Sequence, residues 1–262
     1  MAARQRRGRV AEIALGVSRA LVRIYGTGED YRRYTWDNPN RRSALTEFVK
    51  RYRRFIGDRV LDLACGGGVL GAVVAPTGRR YLGVDANPDM LAAARKLDAG
   101  LRFLEADITR DPIPGRFDTV TLLGNSLAHF TVSDMDRLLH ARRANVRLGS
   151  TFVVDYLDLV AMFWQNTWRR VRVTTKVRGK ITHRARLVDL ERGTIDLRAT
   201  PSTRRWTLDW SHAIWSPFIL EMLMRHHGWL LLHRSPPRPK KGARKIPESH
   251  VDVYRLEATR RD

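Results

Sequence analysis

The feature that most restricts the fold is the regular alternation, between residues 58 and 157, of short apolar runs with helical stretches. Val60-Leu61-Asp62-Leu63, Tyr81–Val84, Leu101–Leu104, Thr119–Leu123 and Thr151–Val154 each have the length and apolar content of a buried strand. Helices with start signals separate them. Asn87, followed by Pro88, can cap a helix over Asn87–Lys96, and Ser133 can cap one over Ser133–Asn145. Strand, helix, strand in this order predicts a parallel sheet with helices on both faces, an α/β architecture.

The flanking segments follow other rules. Residues 1–57 read as a basic helical cap, with Val10, Ile13, Ala14, Val17, Leu21 and Ile24 on one stripe. Within 164–211 apolar and polar residues alternate with period two, as in Val171, Val173 and Val177, in Ile181, His183, Ala185 and Leu187, and in Trp206, Leu208 and Trp210. That pattern predicts an antiparallel β-meander inserted after the fifth strand, one face buried and the other wet and arginine-rich. Residues 212–262 read as a helix and two last strands that complete the core of residues 58–163, with a basic loop over 234–245.

Composition narrows the setting. A hydrophobic content of 43% over 262 residues is ample for a packed core. No apolar run approaches the roughly 20 residues that cross a bilayer, so no membrane association is expected. The lone cysteine, Cys65, fits a reducing cytoplasm. A net charge of +21 favours polyanions, although an arginine-biased composition produces the same excess without any nucleic-acid partner.

The chemistry concentrates at strand ends. Val60-Leu61-Asp62-Leu63-Ala64-Cys65-Gly66-Gly67-Gly68 places glycines where a strand turns into a helix and a ligand must approach backbone. Gly66, Gly68 and Gly71 also satisfy the dinucleotide fingerprint, with Asp85 near the expected separation, so the loop alone leaves a nicotinamide cofactor open. Asp62 argues for a cationic ligand, because a pyrophosphate wants amides rather than a carboxylate. Asp85, in Gly83-Val84-Asp85-Ala86-Asn87, can accept from both hydroxyls of a ribose, and Asp107 and the Ile108 amide, after the third strand, can meet an adenine edge. Each has a plainer alternative: Asp62 can tie the loop, Asp85 can cap a helix and Asp107 can be a solvated loop residue.

Taken in order, Asp-x-Ala-Cys-Gly-x-Gly, Val-Asp-Ala, Glu-Ala-Asp and Phe117-Asp118-Thr119-Val120 resemble class I S-adenosylmethionine-dependent methyltransferases. Leu123-Gly124-Asn125-Ser126-Leu127-Ala128-His129-Phe130 resembles more narrowly an acceptor loop of glycine N-methyltransferases, with Val153-Val154-Asp155-Tyr156 resembling the strand that follows. The likeness runs from about Tyr31 to Phe163. It implies a Rossmann-like sheet of five parallel strands plus a C-terminal antiparallel hairpin. It also implies cofactor contacts from Ala64, Gly66, Asp85, Asp107, Ile108 and the Leu123 backbone; Gly68 and Ala86 belong to the same two loops. Asn125 and His129 would face the acceptor, with Tyr34 and Arg42 approaching the cofactor from the cap. Gly67 and Leu127 depart from the family pattern, and beyond residue 164 no correspondence holds.

Two acceptors follow. The Asn125 loop favours N-methylation of a small amine or amino-acid-like molecule. The arginine-rich meander face and the 234–245 loop favour RNA, with tryptophans available to stack bases. No spacing typical of a metal site is evident, since neighbours such as His226 and His227 diverge on a regular helix.

Overall fold

The computed structural model describes residues 28, 36–37, 39–98, 100–168, 170–175, 179–202, 207–236 and 247–257. The predicted helical stripe of residues 10–24, Tyr34, Trp206 and loop residues 237–246 lie outside them. The strands of the main sheet are β1 (Arg59–Leu63), β2 (Arg80–Asp85), β3 (Arg102–Glu105), β4 (Thr119–Leu122), β5 (Thr151–Leu157), β10 (Trp229–Ser235) and β11 (Ser249–Leu256). They are ordered β10-β11-β5-β4-β1-β2-β3. The first five run parallel, β11 is antiparallel to β5, and β10 is antiparallel to β11. This is the expected Rossmann-like sheet with its C-terminal hairpin. The chain order reverses between β1 and β4, so a ligand crevice opens at the carboxyl ends of those two strands.

Two apolar layers sandwich the sheet. Helices α1 (Pro39–Tyr52) and α2 (Val69–Val74) supply Val49, Tyr52, Leu70 and Val74, which bury Val60, Val153 and Val253. On the opposite face α4 (Val132–Arg142) and α6 (Pro217–His226) cover Leu61, Leu63, Leu122 and Val154 with Met135, Leu138, Leu220 and Met224. Helix α3 (Pro88–Leu97) starts as predicted: the Asn87 side chain accepts from the Asp89 and Met90 amides, with Pro88 at the first position. Helix α4 starts earlier than predicted. Thr131, not Ser133, is its cap, because Thr131 and Asp134 satisfy each other's backbone amides in a capping box.

After the short helix α5 (Leu159–Trp164) the chain forms a separate sheet, β6 (Arg170–Thr175), β7 (Gly179–Asp189), β8 (Thr194–Pro201) and β9 (Leu208–Ala213), antiparallel throughout. Strand β8 is additional to the three alternating runs read from sequence. Its Ile195 and Leu197 join Leu159, Met162 and Ile214 in a small core between this sheet and α5. A bulge between Ala185 and Leu187 breaks the strict parity of β7, which is why Ala185 and Val188 pack into the same core.

The basic surface is partly self-neutralised. Arg198 donates twice to Asp209, at 2.6 Å each, and Arg186 lies 3.5 Å from the same carboxylate. Arg234, assigned from sequence to the exposed loop, sits in β10, 9% exposed, and donates to buried Asp252 at 2.8 and 2.7 Å. Its guanidinium is therefore committed to Asp252 within the β10–β11 hairpin and leaves the RNA track. Among the described residues, no helix is long and apolar enough to cross a membrane.

Candidate active site

At the carboxyl end of β1 the backbone takes a left-handed conformation at alternate residues, Ala64, Gly66 and Gly68, with φ of 53°, 53° and 70°. At Ala64 this conformation is strained, since its Cβ meets the following carbonyl. At Gly68 it is obligatory, because a Cβ there would come within 2.7 Å of the Phe103 ring and 3.0 Å of the Ala94 methyl. The loop is fastened from the neighbouring strand. Asp85, ending β2, accepts from the Gly66 amide at 2.8 Å through one oxygen and from the Asn87 amide at 2.9 Å through the other. Its carboxylate thus stands at the mouth of the loop with acceptor capacity remaining, as recognition of a ribose diol requires.

Asp62 has a different place from the one its motif suggests. It is 4% exposed and accepts from the Tyr81 hydroxyl and the Thr121 hydroxyl, each at 2.7 Å. It holds the loop from within the sheet. Burial pushes its carboxyl up to about 6; the charges of Asp85 and Asp155 add to the rise, and the Thr121 and Tyr81 hydroxyls oppose it. Asp155 on β5 is likewise pushed up to about 6 by burial, against bonds from the Asn125 and Gly124 amides. Burial raises Asp85 as well. Three desolvated carboxylates therefore gather where β1, β2 and β5 end, a field that repels a pyrophosphate and attracts a cation.

Apart from Arg42, the other predicted cofactor residues follow the carboxyl ends of β2, β3 and β4. Asp107 accepts from the Thr109 amide at 2.9 Å and from its hydroxyl at 2.7 Å, and faces Arg110 at 3.1 Å, so it shapes its own loop; Ile108 beside it is buried. The Leu123 carbonyl accepts from the Ser126 hydroxyl at 2.7 Å. Ala86 links Asp85 to the α3 cap. Arg42 is exposed on α1, with its guanidinium 5.5 Å from the Trp36 ring. A Cβ added at Gly28 would come within 2.2 Å of the Asp89 carbonyl oxygen at the start of α3.

Past β4, Asn125 adopts φ 59°, donates its amide to Asp155 at 2.9 Å and accepts from the Leu157 amide at 3.2 Å. With Ala128, Tyr156, His212, Ala213 and Trp215 it lines a narrow hollow. The indole of Trp215 donates to the Phe130 carbonyl at 2.9 Å, locking that wall to the loop of residues 123–130. His129 stands edge-on to His212 with ring centroids 5.1 Å apart; its Nδ1 is buried without a hydrogen-bond partner, and burial pulls its pKa below the usual imidazole value.

His212, Asp155 and Trp215 are site residues that sequence reasoning missed. His212 continues the parity of Trp206, Leu208 and Trp210, and a histidine on the buried face of a strand was the available signal. Away from this end, the expectation that His226 and His227 diverge also fails. Helix α6 ends between them, their rings meet at 5.3 Å and 90°, and one donor atom from each lies within 4.8 Å of the other and of an Asp136 oxygen.

Residues 60–149 match the family of methyltransferase domains. A ubiquinone biosynthesis O-methyltransferase of Azotobacter vinelandii is 32% identical over 127 residues, 44% of this chain and 53% of that protein. One from Methylococcus capsulatus is 31% identical over 83 residues, 29% of this chain and 35% of that protein. The chain thus spans between a third and about half the length of these curated relatives. A solved S-adenosylmethionine-dependent methyltransferase from Clostridium acetobutylicum superposes with a TM-score of 0.66 at 17% identity, covering 87% of this chain and 96% of that one. With the glycine loop, Asp85 and the strand order already in place, residues 60–149 match methyltransferase domains, and the chain has the fold of a solved S-adenosylmethionine-dependent methyltransferase.

Proposed function

We propose that the protein transfers a methyl group from S-adenosylmethionine to a nitrogen of a small acceptor held in the hollow beside Asn125. The observation that carries the cofactor half is the cluster of Asp62, Asp85 and Asp155. A ligand bearing an ammonium and a sulfonium favours the charged form of these desolvated carboxylates, whereas the pyrophosphate of a nicotinamide dinucleotide opposes it. Bound there, the cofactor supplies an electrophilic methyl group. Asp85 would hold its ribose, and the Ala64–Gly68 loop would admit it to the backbone.

The acceptor half rests on enclosure. The wall of Tyr156, Ala213 and Trp215 is buried and largely apolar, while Asn125 and His212 supply polar points that can orient a small molecule. Most of the catalytic work is placement, with the nucleophile brought within roughly 3–3.5 Å of the methyl group and in line with it. An amine must also lose its proton, and a neutral imidazole in the His129–His212 pair, favoured at His129 by burial, can take it.

A hydroxyl acceptor is the second reading, favoured by the relatives named O-methyltransferases, which match this chain over part of its length. RNA is disfavoured by the inward pairing of Arg234 and the Arg198–Asp209 pair. The single Cys65 supports a reducing, cytoplasmic setting.

The test is methyl transfer from radiolabelled S-adenosylmethionine, offered separately to a small-metabolite extract and to cellular RNA, with Asp85→Ala as the blank. The proposal expects label in a small product retained by a cation exchanger, as a methylamine is. Label in a neutral methyl ether selects the hydroxyl reading, and label in RNA overturns both.

A further inference from the structure

We propose that Asp136, His226 and His227 form a binding site for a divalent transition-metal ion of the zinc type, tying helix α4 to the end of helix α6. The site lies outside the methyl-transfer machinery and does not depend on that reading.

The local backbone makes the site possible. On a continuing helix, adjacent histidines would point about 100° apart. Here α6 stops at His226, and His227 adopts φ −92°, ψ 12° as the cap, its amide donating to the Leu223 and Met224 carbonyls. Gly228 follows at φ 80° and turns the chain into β10. The two rings are thereby brought to 5.3 Å with their planes at 90°.

From the neighbouring helix, Asp136 reaches the same point, with its Oδ1 2.8 Å from His227 Nε2. One nitrogen from each ring and one carboxylate oxygen all lie within 4.8 Å of one another. Zinc bonds of about 2.0–2.1 Å in a tetrahedron put ligand atoms roughly 3.3 Å apart, so small side-chain rotations suffice to close these three around an ion. Two imidazoles and a carboxylate form a donor set suited to zinc, nickel or copper rather than to calcium or magnesium.

Burial is graded in the way an ion site with access needs. The His227 side chain is 7% exposed and fixed by the fold, that of Asp136 is 48% exposed, and His226 faces solvent. With three protein ligands, water would take the fourth position of the tetrahedron. The two helices so joined begin at the acceptor wall. The cap of α4, Thr131, lies two residues after His129, and the cap of α6, Ser216, follows Trp215. An ion at this point would hold those two helices together and, through them, steady the wall.

The experiment uses full-length protein without a histidine tag, stripped with a chelator. Zinc titrated by calorimetry should bind at one equivalent and raise the melting temperature. Cobalt should give the visible bands of a tetrahedral site without thiolate charge transfer, since Cys65 is not a ligand. His226→Ala, which removes a solvent-facing ring, and Asp136→Asn should each weaken zinc binding by roughly 10–100-fold or more while keeping the circular dichroism of the metal-free parent. No saturable binding, or binding undiminished in both variants, overturns the proposal.

Discussion

Replacing Arg234 by methionine should destabilise the protein by about 3 kcal/mol, because it leaves a buried carboxylate without its counter-charge. Asp252 is fully buried and accepts four hydrogen bonds, two from Arg234 at 2.8 and 2.7 Å, one from Tyr156 at 3.0 Å and one from Tyr254 at 2.9 Å. Breaking a buried pair from one side costs roughly 3–5 kcal/mol, and the two tyrosine hydroxyls that remain place this case at the low end. In a domain of this size ~3 kcal/mol corresponds to a melting point lowered by roughly 6–12 °C. Urea unfolding at pH 7, followed by circular dichroism, reads the loss directly. The double variant Arg234→Met with Asp252→Asn removes the uncompensated charge and should recover most of it, to within about 1–2 kcal/mol of the parent. A single variant that loses under about 1 kcal/mol, or a double variant that loses the sum of the two singles, refutes the reasoning.

Three further outcomes follow from the site. Gly68→Ala forces a Cβ into a left-handed residue and against Phe103, so it should lower stability by about 1–3 kcal/mol and weaken cofactor binding, read by urea unfolding and calorimetry. Asp155→Asn should change the pH dependence of stability. The wild-type carboxyl titrates near 6 when folded against 3.8 unfolded, so its contribution is fully present below pH 3.8 and is lost as pH rises to about 6. The variant should therefore gain roughly 2–3 kcal/mol relative to the parent between pH 4 and pH 7, and a constant difference over that range would contradict the assignment. His129→Gln should lower kcat by about 100-fold and abolish the acidic limb of the kcat/KM profile, which in the parent should fall below the ordinary imidazole value of 6.5 because burial depresses His129.

The cofactor half of this molecule was legible in sequence because its signals are local. Alternating strands and helices, the Asn87-Pro88 start and Asp85 at a strand end each lie within a few residues of one another, and each reappears in the structure. The acceptor half depends on contacts across long stretches of chain. His212 meets His129 from 83 residues away, and Asp155 matters only because it binds the Asn125 amide from the adjacent strand. Arg234 read as part of a basic loop because its partner Asp252 is 18 residues on, across a hairpin. Strand β8 has only Ile195, Leu197 and Ala199 on its apolar side, too little contrast to stand out, and the bulge in β7 hides the period-two rule that would have flagged its neighbour. The His226–His227 geometry was hidden because a single residue of helix end reverses the expectation.

The most direct test of the account is a calorimetric titration of the wild type and Asp85→Ala with S-adenosylmethionine, with a nicotinamide dinucleotide as the competing ligand. The account predicts one saturable S-adenosylmethionine site and no heat from the dinucleotide. It also predicts affinity weaker by roughly 10–150-fold in Asp85→Ala, as expected for lost hydrogen bonds to a carboxylate. Binding of the dinucleotide in place of S-adenosylmethionine, or an Asp85→Ala variant that binds as well as the parent, would contradict it.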